Sequence, residues 1–495
     1  MKQNRNSSFT AAFLAILFIL FSFQAQSIAQ DKATQIDEFV KLWHETGTFN
    51  GTVLVAEKGK VIFKKGYGLA NMEWNIPNKP DTKFRIGSIT KQFTSMLIMQ
   101  LVEKGKIDLQ GKLSDYLPYY RKDIGDKVTI HHLLTHTSGI PSYTRNMARL
   151  EEVHQDPYPV DEFVKKYCSD DLEFEPGSKY RYNNSGYFIL GAIIEAMTGK
   201  PYADILLEKI LVPVGMKDTG YDHPVPLIKN RAAGYSITFD GYVNADYLNM
   251  SLPYAAGSLY STVEDLYKWD QALYTDKLLS KKMKKEIFKP HVASGDESYY
   301  AYGWGISKRS FPKSKEKVKS VSHGGGINGF STFIERLVDD KHLIAIFNNT
   351  PAASLNAMSE GIIRILYGKP YTPPKKSIAK AIYDVVVEKG AEEAVKQYHE
   401  LQKNKKNEYN FQPVELNRLG YDLLYRKKMV KEAIEIFKLN IEVYPKYANG
   451  YDSLGEAYMV NRDKKPAIRS YAKSLEMDPN NTNAVEKLSE LMKMK

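Results

Sequence analysis

Ser88-Ile89-Thr90-Lys91 opens an apolar-patterned segment that runs to Gly105, and the reading of this stretch organises the rest of the chain. Phe93, Met96, Leu97, Gln100 and Leu101 recur at helical spacing, with Gly105 as the natural C-cap. Ile98, Met99 and Val102 widen the stripe until the helix is apolar nearly all round, which predicts burial. Ser88 and Lys91 stand three apart at the helix start, so their side chains share a face. A serine hydroxyl is a poor nucleophile near neutral pH without a base, and a partly desolvated lysine loses its proton easily enough to serve. The helix N-terminus adds N–H groups and a positive dipole end beneath a reacting carbonyl. The bare S-x-x-K pattern is short, and an ordinary helix start with a surface lysine satisfies it equally well.

Working outward, Ile36, Phe39, Val40 and Trp43 fall at i, i+3, i+4 and i+7, one face of an amphipathic helix. Residues 52–57 and 60–67 read as strands joined by a Lys58-Gly59 turn. The middle of the chain, about 108–279, reads as mainly helical with long loops. Residues 329–337 and 342–348 flank Asp339-Asp340 as a second hairpin, and a helix over about 355–367 follows. Strands at both ends with helices between predict an α/β (α+β) domain, its antiparallel sheet assembled from the two termini around an inserted helical region.

Two downstream segments supply partners for Ser88. Tyr182-Asn183-Asn184 precedes an apolar helix, so Tyr182 sits at a loop-to-helix junction. A phenolate is favoured near ammonium groups, which would let Tyr182 pass protons to a leaving group; a packed core tyrosine is the other reading. Asn184 would offer its amide to a substrate and to Lys91. Ser322-His323-Gly324-Gly325-Gly326 precedes a strand, and its glycines permit close approach of a ligand to the backbone; a plain flexible turn is the alternative. The N–H of Gly326 could pair with that of Ser88 as an oxyanion hole.

With these segments quoted, residues from about 33 to 366 resemble the serine β-lactamase-related superfamily, which includes class C β-lactamases, DD-peptidases, D-amino-acid amidases and some esterases. The resemblance rests on Ser88-x-x-Lys91, Tyr182-x-Asn184 and His323-x-Gly325 in the expected order. Leu133-Leu134-Thr135-His136-Thr137-Ser138-Gly139, Gly186-Tyr187-x-x-Leu190-Gly191, Ala256-Gly257-Ser258-Leu259-x-Ser261-Thr262 and Tyr302-Gly303-Trp304-Gly305 reinforce it. It implies a site between sheet and helical region, with Ser88 as nucleophile and Lys91 and Tyr182 as proton handlers. Asn184, His323, Gly325 and Gly326 would serve substrate and oxyanion. The third motif departs from the Lys-Thr-Gly of class C β-lactamases: His323 is mostly neutral near pH 7 and the threonine hydroxyl is missing. The expectation is therefore peptidase, amidase or esterase action through an acyl-enzyme, ahead of efficient β-lactam hydrolysis. The alternative is a penicillin-binding sensor or an interaction protein with little or no turnover.

The remaining features bound these expectations. Lys2 and Arg5, an apolar stretch from about Phe9 to Phe23 and Ser27-Ile28-Ala29 read as a signal peptide over 1–29, with an uncleaved anchor as the alternative; later segments are not apolar enough to cross a bilayer. The expected location is periplasmic or secreted. Cys168 is the only cysteine, which excludes an intramolecular disulfide. The formal charge of +11 is scattered rather than clustered, which argues for solvated faces and against a nucleic-acid partner. Asn183-Asn184-Ser185 and Asn348-Asn349-Thr350 match a glycosylation sequon and are read as chance matches. His132 and His136 have a spacing that can bind zinc, but Leu133 stands where H-E-x-x-H needs glutamate, so neither metal nor cofactor is expected.

A linker rich in proline and lysine, over 368–377, separates the hydrolase-like domain (33–367) from a helical region over 378–495 without strand signals. There Ala433, Phe437 and Pro445 recur as Ala467, Tyr471 and Pro479, a period of about 34 residues that points to tetratricopeptide repeats, with Ala394 and Tyr398 as a weaker earlier copy. An unrelated helical bundle is the other reading. Such repeats would bind a protein or peptide partner, and the first domain a small-molecule or peptide substrate.

Overall fold

The computed structural model describes residues 32–145, 154–311 and 317–493; the expected signal peptide lies outside the described residues. The chain divides into two compact units, one of residues up to Ile237 with Tyr242–Pro373, the other of Thr238–Gly241 with Pro374–Lys495.

The first unit is built on one eight-stranded antiparallel sheet. Its strands are β1 (Gly51–Glu57), β2 (Lys60–Tyr67), β3 (Val292–Gly295), β4 (Ser298–Tyr300), β5 (Gly305–Ser310), β6 (Lys317–Ile327), β7 (Phe330–Leu337) and β8 (His342–Asn348), in the spatial order β3-β4-β5-β6-β7-β8-β1-β2. The two ends of the unit meet where β1 pairs with β8, Gly51 opposite Asn348. Lys58 and Gly59 close the first hairpin with φ of 50° and 77°, the left-handed pair that a tight two-residue turn requires. Val53 and Val55 face one layer, Leu54 and Ala56 the other, so β1 is buried on both sides. The first layer is helix α1 (residues 32–45), through Ile36, Phe39 and Val40, with the helix Leu355–Leu366. These two helices touch closely: a methyl built on Gly361 would fall 2.1 Å from the Phe39 ring.

The opposite layer is the inserted helical region, with α2 (Thr90–Glu103), α3 (Asn184–Thr198) and α4 (Val263–Leu273) at its centre. Every residue of α2 from Thr90 to Met99 is buried, as its all-round apolar pattern predicts. Gly105 follows its end at φ 67°, and Lys106 N–H returns to Leu101 O, the cap expected of that glycine. Phe93 stacks on Trp269 of α4 at 4.4 Å, and the Trp269 indole donates to Gln92 Oε1 at 3.0 Å.

Two expectations need correction. Strands β3, β4, β5 and the first half of β6 had no clear sequence signal. They are short or partly exposed strands whose burial alternates, so they lack the apolar run that betrays a buried strand. His323-Gly324-Gly325 also does not precede a strand but lies within β6, held extended by its ladder to β7, with His323 opposite Ile334.

The second unit is predominantly helical, from Ile378–Lys389 to Thr482–Lys493. Phe437 packs on Gly420 and Tyr471 on Gly455: a methyl on either glycine would fall 2.4 Å and 3.1 Å from those rings. Ala433 and Ala467 are fully buried. A two-residue strand, Lys376–Ser377, pairs in parallel with Tyr409–Asn410, a feature too short to leave a pattern in the sequence. Among the described residues no helix is long and apolar enough to cross a membrane.

Candidate active site

Ser88 lies in a 3-10 turn, Gly87–Ile89, that feeds directly into α2. A three-stranded patch holds this entry. Phe84–Arg85 pairs with Leu259–Ser261, and Ile86 N–H donates to Leu259 O at 2.8 Å. Arg85 Nε is anchored 2.6 Å from the buried Asp222 carboxylate. Gly87 takes φ 50°, and a methyl there would meet Gly326 N at 2.9 Å. Both facts demand glycine, and the second shows how closely β6 passes the turn. Gly325 is tighter still, its methyl position 1.9 Å from Ile86 O. Gly326 has open space where its side chain would be. With Ser88, Asn184 and Gly326 in its wall, a cavity of about 450 Å³ opens over the turn. The N–H of Ser88 lies in a first turn, where a helix offers no acceptor of its own.

Lys91 is fully buried beneath the serine. Its Nζ lies 3.0 Å from Ser88 Oγ, 2.8 Å from Asn184 Oδ1 and 2.8 Å from the carbonyl oxygen of Ala256. These partners are all uncharged, and burial drives the lysine well below its ordinary range. With the amine neutral, two N–H bonds to the amide and carbonyl oxygens leave its lone pair for the Ser88 hydroxyl, the reverse of the donation from Nζ to Oγ that an ammonium makes.

Asn183 caps α3, accepting from Gly186 N–H at 3.0 Å, and Asn184 beside it lines the cavity. Asn184 is doubly held, its Oδ1 by Lys91 and its Nδ2 donating to Thr144 Oγ1 at 3.0 Å. Tyr182 sits on the same side, its ring centroid 4.9 Å from Lys91 Nζ. Burial raises its phenol above the ordinary tyrosine range, and the Ser88 hydroxyl pulls only partly the other way. The expectation of a favoured phenolate is corrected: beside a neutral amine in a desolvated pocket, the resting form is the phenol.

His323 is 8% exposed and locked. Its Nδ1 lies 2.6 Å from Gly324 O and must donate there, so Nε2 accepts from the Tyr300 hydroxyl at 3.0 Å. Burial lowers its pKa to about 4. Both ring nitrogens are therefore occupied and the ring is neutral. His132 and His136 point to different tasks. His132 Nδ1 receives Thr129 N–H at 3.2 Å, while His136 Nδ1 receives Asn183 N–H at 3.1 Å and packs 4.3 Å from the Tyr182 ring.

Of the seven residues singled out in the sequence, Ser88, Asn184 and Gly326 line the cavity; Lys91 bonds to Ser88 and Asn184, the Tyr182 ring lies beside Lys91 and 6.2 Å from the His323 ring, and Gly325 packs on Ile86. Three neighbours were not foreseen as parts of the site: the Ala256 carbonyl, Thr144 and Tyr300. A main-chain acceptor leaves no residue signature, and Tyr300 belongs to a strand too short to recognise.

Residues 36–366 match the beta-lactamase family. Penicillin-binding protein 4* of Bacillus subtilis (strain 168) is 32% identical over 378 residues, 72% of this chain and 82% of that protein. A teichoic acid D-alanine hydrolase of Staphylococcus aureus is 30% identical over 275 residues, 55% of this chain and 65% of that protein. Among solved structures, a penicillin-binding protein from Bacillus halodurans superposes with a TM-score of 0.59 at 26% identity, covering 67% of this chain and 98% of that one. The chain belongs to the beta-lactamase family and is a serine hydrolase of that family.

Proposed function

We propose that the protein cleaves an amide or ester through an acyl-enzyme on Ser88, with D-amino-acid peptides, amides or esters as the substrate class and β-lactams as acylating ligands rather than efficient substrates. The observation that carries this reading is Lys91 Nζ, fully buried 3.0 Å from Ser88 Oγ with no carboxylate among its hydrogen-bond partners, a setting in which burial favours the neutral amine that can take the serine proton. Ser88 Oγ bonds to the substrate carbonyl carbon and its proton passes to Lys91. Charge on the carbonyl oxygen is met by the backbone N–H groups of Ser88 and Gly326. As the C–N or C–O bond breaks, the Tyr182 phenol protonates the leaving group and recovers its proton from Lys91. Water then attacks the acyl carbon, and Ser88 is released with its proton restored. The neutral, fully engaged His323 gives no fixed cation for a substrate carboxylate, which separates this site from the Lys-Thr-Gly type. The names of the relatives support a cell-envelope substrate.

The same proposal includes export by a leader over 1–29 and a repeat-built partner surface over 378–495. The paired contacts Gly420–Phe437 and Gly455–Tyr471 support the second. A fluorophosphonate label tests the core reading. Stoichiometric modification of Ser88, with turnover of a D-amino-acid amide or nitrophenyl ester that Ser88→Ala abolishes, is the expected result. A stable penicilloyl adduct with no turnover of any amide or ester would instead make the protein a sensor.

A further inference from the structure

The wall of the active-site cavity has a charge pattern that the catalytic residues do not explain. Among its described lining residues Asp246 is the one carboxylate, and none is lysine or arginine. The two arginines next to the neighbouring segments are already engaged: Arg145 and Arg181 both turn to Glu173, at 3.7 Å and 2.9 Å. His323 has both ring nitrogens committed. His154 is the remaining imidazole on the wall.

Asp246 is also positioned. Asn328 Nδ2 donates to Asp246 O at 3.0 Å, which ties it to the turn that immediately follows the Gly326 strand. Its neighbour Ala245 is held from both sides: its N–H donates to Gly234 O at 3.0 Å, and its Cβ lies 2.8 Å from where a methyl on Gly329 would sit. Asp246 thus stands exposed on a braced segment of the same wall as Gly326.

Resting on the acyl-enzyme reading above, we propose that Asp246 is a specificity-determining residue that selects acyl donors carrying a free ammonium group, aminoacyl esters or amides, over donors that lack it. A cation on the substrate meets one carboxylate and no competing lysine or arginine of the described wall, whereas a substrate carboxylate meets only repulsion from Asp246.

The test compares D-alanine methyl ester with N-acetyl-D-alanine methyl ester on the full chain. The readout is the rate of Ser88 acylation, measured by competition with a neutral fluorophosphonate label. The wild type is expected to prefer the free amine. That preference should fall about fivefold in Asp246→Asn, stay in Asp246→Glu, and shrink as salt is raised, as for a solvent-accessible ion pair. Labelling by the fluorophosphonate alone reports whether each variant is folded, and the glutamate variant carries the test if the asparagine one is not. An unchanged preference in Asp246→Asn, loss of preference in Asp246→Glu, or a wild type that prefers the acetylated ester overturns the inference and leaves the acyl-enzyme reading standing. Failure of Ser88 to label at all overturns both.

Discussion

Lys91 Nζ stands 3.0 Å from Ser88 Oγ with its other two hydrogen-bond partners both uncharged oxygens. An amine in that setting is worth more as an acceptor than as a cation, because no carboxylate offsets the cost of burying its charge.

Removing the amine should cost acylation rather than folding. Lys91→Met keeps the side-chain volume and removes the buried polar group. We expect a loss of about a thousandfold in the acylation rate, within the span of general-base effects. Single-turnover kinetics with a nitrophenyl ester, beside a thermal melt, separate the two quantities; an unchanged acylation rate rejects Lys91 as the base.

The pH–rate profile should show its rising limb well under the usual lysine range. Burial lowers Lys91, so the neutral base forms at lower pH than in free lysine. Tyr182 is raised, so its phenol stays protonated beyond the ordinary tyrosine range and the falling limb moves up. Acylation rates from pH 5 to 10 report both limbs. Tyr182→Phe should lower kcat about a hundredfold.

His323 predicts a stability slope in acid. Its folded pKa is about 4 against an ordinary 6.5. Between those values the unfolded chain binds more protons, so stability rises with pH through that window and is lost as pH falls toward 4. Urea midpoints at pH 4.5 and 7 should differ more for the wild type than for His323→Gln. Equal differences would show that the imidazole is not held neutral by the fold.

Adjacent glycines should behave oppositely. A methyl on Gly325 would lie 1.9 Å from the Ile86 carbonyl, a backbone atom that cannot swing aside, whereas one on Gly326 meets nothing within 4 Å. Gly325→Ala should destabilise the first unit by about 3 kcal/mol or more, and Gly326→Ala by about 0.5 kcal/mol or less. Thermal melts of the two variants decide it.

Much of this was legible in advance where the signal is local. The all-round apolar stripe of α2, the Lys58-Gly59 turn and the i, i+3 placement of Ser88 and Lys91 each depend on residues within a few positions of one another. The pairing of the two ends of the first unit followed from strands at both ends of an otherwise helical stretch. What stayed hidden was of two kinds. Short, half-exposed strands such as β5 bury too little apolar surface to pattern the sequence. Long-range acceptors such as the Ala256 carbonyl, 165 positions from Lys91, are main-chain atoms that any residue supplies.

The chain's own order of residues determined which groups could take part: a hydroxyl and an amine on one helical face, a phenol at a helix entry, and glycines where backbones must nearly touch. Only the tertiary structure decided their charge. It packs Lys91 among uncharged oxygens, keeps Tyr182 a phenol and commits both nitrogens of His323, because desolvation depends on what surrounds a group in space and not on its neighbours along the chain.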